Sequence, residues 1–69
     1  MKKQPPETTA LLHAVDILGG QTGTAKRLGV SQQAVQYWVR RGRVPALKAI
    51  PLEAASGVSR NKLRPDLYP

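Results

Sequence analysis

A chain of 69 residues is one domain with a small interior, so its stability has to come from close packing. Without cysteine it has neither a disulfide framework nor a thiolate zinc site, and one histidine with four scattered acids makes no ordinary metal cage, so no cofactor is expected. Eleven Lys and Arg against four Asp and Glu give a formal charge of +7, which implies a polyanionic partner or an anionic surface.

The charge is unevenly spread. The acids are Glu7, Asp16, Glu53 and Asp66, so the stretch from Ile17 to Leu52 carries Lys26, Arg27, Arg40, Arg41, Arg43 and Lys48 with no negative charge. Solubility alone does not call for an acid-free centre; a nucleic-acid footprint does. Apolar runs are too short for a membrane span, and Met-Lys-Lys-Gln-Pro-Pro lacks the apolar core of a secretory signal, so a cytoplasmic protein without a membrane partner is expected. The only aromatics are one Trp and two Tyr, which leaves an aliphatic core of Leu, Val, Ile and Ala and favours an all-α class. No window alternates with the two-residue period of a strand.

In chain order, residues 1–6 are polar with two prolines and read as a flexible N-terminal arm, where Lys2 and Lys3 add nonspecific phosphate attraction. Glu7, Thr8 and Thr9 offer capping chemistry for a first helix from about Thr8 to Leu18, with Leu11, Ala14, Val15 and Leu18 at helical spacing. Gly19 and Gly20 end it, and His13 and Asp16 fall on its solvated side. Gln21 and Thr22 open a second, two-turn helix with Ala25 and Leu28 inward, interrupted at Gly29 before Val30. Ser31 is an N-cap for a third helix, about 32–41, which Gly42 closes after the basic pair Arg40 and Arg41.

Pro45 suits the first position of a fourth helix with Leu47, Ile50 and Ala54 on one face. Pro51 has no N–H for the carbonyl of Leu47, so this helix is either kinked there or restarts and runs to Ser56. Ser59 caps a single turn through Leu63, and Pro65 forces an extended tail, giving an arm of 1–6, a helix-turn-helix domain of 7–64 and a tail of 65–69.

The order from Gln21 to Arg40 has the physical logic of a helix-turn-helix. Ala25 is small where two steeply crossing helices approach, Gly29 supplies the positive φ of an abrupt turn, and Val30, Val35 and Trp38 bury the third helix on one side. Its free stripe carries Gln32, Gln33, Gln36 and Tyr37. Glutamine pairs an acceptor with a donor in the pattern that adenine N7 and N6 present in the major groove, so these four are the candidate base-reading residues. Glutamines also occur simply as exposed helix formers, and Tyr37 can instead pack a sugar, bond a phosphate or fill the groove between helices. The candidate phosphate contacts are Gln21, Thr22, Lys26, Arg40, Arg41 and Arg43. No nucleophile with a base and no carboxylate pair suggests an enzyme, His13 and Asp16 being an ordinary surface pair.

The segments Gly-Gly-Gln-Thr and Ala-Lys-Arg-Leu-Gly-Val-Ser-Gln-Gln-Ala-Val-Gln-Tyr-Trp resemble Cro and cI-type phage repressors, and most of all their YdaS-like Cro group. Arg-Gly-Arg-Val-Pro (41–45) and the ending Leu-Arg-Pro-Asp-Leu-Tyr-Pro (63–69) are similar too, so the resemblance spans about Leu11 to Pro69. It implies a compact four- to five-helix lambda-repressor-like domain that binds double-stranded operator DNA, usually as a homodimer, and represses phage or prophage promoters. Gln21 and the pair Gln32 and Gln33 match operator-contacting positions of that family. Relatives described as antitoxins imply an alternative, a toxin partner that the chain neutralises. Some Cro proteins replace the C-terminal helices by a dimerising β-hairpin, against which Pro45, Pro51 and the lack of alternation argue.

Overall fold

The computed structural model describes residues 4–69, so the expectation for Lys2 and Lys3 lies outside the described residues. Five helices follow one another: α1 (Pro6–Ile17), α2 (Gly20–Leu28), α3 (Gln32–Arg41), α4 (Ala46–Ser56) and α5 (Arg60–Leu63). The described residues contain no strand, so the all-α expectation holds and the C-terminal region is helical.

Helix α1 starts two residues before the expected Thr8. Pro5 occupies the N-cap, Pro6 the first turn, where its missing N–H costs nothing, and the amides of Thr8 and Thr9 donate to the Pro5 carbonyl. None of the three expected capping side chains caps it. Thr8 reaches elsewhere: its hydroxyl donates to the carbonyl of Gly42 at 2.6 Å, fastening α1 to the end of α3. Ala10, Leu11, Ala14 and Val15 form the buried stripe of α1. The α1–α2 turn uses left-handed backbone at Gly19 and Gly20. Gly23 in α2 has a different reason for being glycine, since a Cβ there would overlap the carbonyl of Leu18.

The core joins Leu11, Ala14, Val35, Trp38, Val44, Ala49, Leu52 and Leu63 across all the helices but α2, which adds Ala25. Helix α4 departs from expectation. It runs through Pro51 with no restart, and it buries Ala49 and Leu52 rather than Leu47, Ile50 and Ala54. Leu47 is 88% exposed and Ile50 46%. Both sets follow the helical period, and the one containing the small Ala49 faces inward, which lets α4 pack close to its neighbours. Leu47 and Pro51 are on the solvent side, so water can take the carbonyl that the proline leaves without a donor. Pro45 sits one position earlier than expected, at the N-cap with extended backbone.

Ser59 stands at the N-cap of α5 without capping it, because its hydroxyl is engaged by the Asn61 side-chain oxygen at 2.6 Å. The cap comes from α4: Glu53 accepts from the Arg60 amide and from Arg60 Nε, both at 3.0 Å. The tail after Pro65 is a turn and not an extended strand. The amides of Leu67 and Tyr68 donate back to the Arg64 carbonyl, which sets Tyr68 against the core beneath the Arg60 guanidinium and leaves Leu67 exposed.

Candidate nucleic-acid interface

Helix α2, a turn over 29–31 and helix α3 form the helix-turn-helix, and each joint has an identifiable cause. Gly29 adopts φ 69°, and the amide of Val30 returns to the Ala25 carbonyl at 3.0 Å, the paired closure that ends a helix on glycine. Ser31 is extended, and its Oγ accepts from the amide of Ala34 at 3.1 Å, so α3 starts where the sequence places it. Gly42, at φ 87°, stops α3, with the amides of Gly42 and Arg43 both directed to the Trp38 carbonyl.

The two faces of α3 divide cleanly. Val35 and Trp38 are buried, and Ala34 and Val39 half-buried against the core. Gln32, Gln33, Gln36, Tyr37 and Arg40 are exposed on the other side. At 100° per residue these five fall within one sector of the helix surface, while the buried four fill the opposite one. The helix is about 15 Å long and free along its outer face, and its diameter of about 10–12 Å suits a groove about 12 Å wide.

Cations flank this stripe. Arg41 is exposed beside it, its Nη1 donating to the Tyr37 hydroxyl at 3.1 Å while its guanidinium lies 5.6 Å from the Tyr37 ring centroid. Tyr37 is therefore not filler between helices: it is 55% exposed and coupled to a cation. Arg43 projects from the turn after α3, exposed, with Nη1 4.0 Å from Asp66. At the other end of the motif, Thr22 is exposed and Gln21 half-buried in the first turn of α2, and Lys26 and Arg27 are exposed further along it. The four candidate readers thus share one surface, with Arg40 and Arg41 continuing it to the C-terminus of α3 and Arg43 just beyond.

Sequence reasoning does not find Arg64. It is a nearly buried cation, 9% exposed, whose Nη1 donates to the Val44 carbonyl at 3.0 Å while Nε and Nη2 grip both oxygens of Asp66 at 3.0 and 2.8 Å. The bond to Arg64 holds the Asp66 carboxyl at about 2, below its ordinary 3.8, and raises Arg64 in return. The signal is present in Arg-Pro-Asp, where proline turns the chain between two opposite charges, but no periodicity reveals such a pair.

Comparison with known proteins agrees with this geometry. Residues 11–69 match the family described as "Bacterial toxin YdaS". Among solved structures, the Cro protein from the putative prophage element Xfaso 1 of Xylella fastidiosa strain Ann-1 superposes with a TM-score of 0.82 at 39% identity, over 87% of this chain and 95% of that one. No curated protein sequence matches. The family match over most of the chain, and a Cro protein alike in overall fold and in more than a third of its aligned residues, lead to one conclusion: this chain belongs to the YdaS family and is a small, Cro-like helix-turn-helix protein.

Proposed function

We propose that the protein is a sequence-specific repressor of the phage or prophage Cro type that binds double-stranded operator DNA with α3 in the major groove. The observation that carries this reading is the exposed stripe of Gln32, Gln33, Gln36 and Tyr37, held rigidly by the burial of Val35 and Trp38 on the opposite side. Gln32 and Gln33, in the first turn, reach base edges, and Gln36 and Tyr37 extend the reading along the groove. Gln21, Thr22, Lys26, Arg40, Arg41 and Arg43 contact phosphates and set the register without reading sequence. A monomer of this size spans few base pairs, so two copies occupy half-sites about one helical turn apart. The likeness to a prophage Cro protein supports the same reading. Binding sites selected from random duplexes test it: a recurrent paired motif is the expected product, and recovery of unrelated sequences would refute it.

The family's description as a toxin supports a second reading at a coarser level, a role within a toxin–antitoxin pair. Its antitoxin form, a chain that neutralises a partner protein and autoregulates its operon, rests on the sequence resemblance alone. Expression alone and beside its neighbouring gene separates the cases. Growth arrest by this chain marks a toxin, rescue from the neighbour's product marks an antitoxin, and neither effect belongs to a repressor.

A further inference from the structure

The turn between α3 and α4 is held from two sides. Its start is tied to α3 by the Arg43 amide on the Trp38 carbonyl at 3.2 Å, and its middle is tied to the tail by Arg64 on the Val44 carbonyl. Arg64 commits three of its five N–H groups to these bonds, two of them to Asp66. Asp66, with both oxygens on Arg64, reaches Arg43 only at 4.0 Å, so the Arg43 guanidinium keeps donors for another anion. Tyr37, Arg41, Arg43 and Arg64 line one open recess of about 180 Å³ together with Val44 and Pro45. Arg41 from α3 and Arg43 from the turn, beside the Tyr37 hydroxyl, are groups that a single phosphate would bridge, while Arg64, bonded to Val44 and Asp66, forms the wall behind them.

We propose that the Arg64–Asp66 pair is a positioning device for DNA binding: it sets the turn so that Arg43, beside Arg41 and Tyr37, receives a backbone phosphate in this recess. The tail then contributes to DNA affinity without touching a base. This rests on the DNA-binding reading above and adds to it two residues, Arg64 and Asp66, that act through Arg43.

The charge of Asp66 makes the idea testable in sign. Asp66→Asn takes a negative charge away from a phosphate-binding surface, and on Coulombic grounds alone it would tighten binding. If the pair positions Arg43, Asp66→Asn and the charge-conserving Arg64→Lys instead weaken binding to a random-sequence duplex by about fivefold, and lower the magnitude of the salt slope by about one. The loss is also non-additive: Arg43→Ala costs the wild-type protein affinity and costs either variant little more. Thermal unfolding run alongside shows whether each variant is folded at the binding temperature. Should Arg64→Lys unfold, Asp66→Asn, altered at a half-exposed side chain, decides alone. Tighter or unchanged binding by folded Asp66→Asn, or losses that simply add to that of Arg43→Ala, would overturn the proposal and leave the DNA-binding reading standing. Failure of the wild-type protein to bind any duplex would overturn both.

Discussion

The Ser31 hydroxyl satisfies one of the free amides at the start of α3, and that single bond fixes which residue begins the exposed stripe. Ser31→Ala should lower stability by about 1 kcal/mol, measured by chemical denaturation, with the helical fold retained. Gln32 and Gln33 are exposed and their side chains bond nothing among the described residues, so truncating them removes no hydrogen bond seen there. Replacing both by alanine should leave the thermal midpoint near its starting value and remove discrimination worth about 1 to 3 kcal/mol for each bidentate glutamine–base pairing. Competition between selected and random duplexes measures that difference. These residues are legible in the sequence because their chemistry is local: a cap needs only its place in sequence, and an exposed stripe only a period. Thr8 and Ser59 defeat the same reasoning. Both are small hydroxyls next to a helix start, yet their partners, the Gly42 carbonyl and the Asn61 side chain, are settled by the fold and by a local competitor that capping rules leave out.

Among the elements, α3 is legible to its boundaries and α4 is not. Helix α3 combines one polar and one apolar stripe between a serine cap and a glycine stop, so period and punctuation agree. Helix α4 presents two apolar stripes, and the choice between Leu47 with Ile50 and Ala49 with Leu52 depends on how near its neighbours come, which is a property of the packed molecule. Its proline reads in sequence as a kink or a restart, but Pro51 lies on the solvent side, where the missing hydrogen bond is least costly. Pro51→Ala should therefore stabilise the protein, by up to about 3 kcal/mol less the entropy that proline removes from the unfolded chain, with no effect on DNA affinity. Gly23 is the reverse case. A methyl group there meets the Leu18 carbonyl, and Gly23→Ala should cost about 1 to 3 kcal/mol, read from the same denaturation curves.

At the scale of the whole molecule, the charge of +7 and the acid-free centre are visible in composition, and the structure distributes the exposed arginines around the end of the candidate reading helix. The tail is not visible in the same way, because Arg64 and Asp66 matter only once Val44 and Arg43 lie beside them. Asp66 also links stability to pH. Its folded value, about 2, lies below the ordinary 3.8, so its contribution is present above pH 4 and is lost as the pH falls toward 2. Asp66→Asn should flatten that part of the stability profile and leave the neutral region's slope unchanged. The central claim, that α3 reads DNA sequence, is tested most directly by salt-dependent binding of one selected duplex beside a random one, for the wild-type protein and for the Gln32→Ala, Gln33→Ala double variant. The expected result is a preference for the selected duplex of about a thousandfold or more in the wild-type protein, strongly reduced in the variant, while both proteins keep the same steep salt dependence on random DNA. An undiminished preference in the folded variant would contradict it.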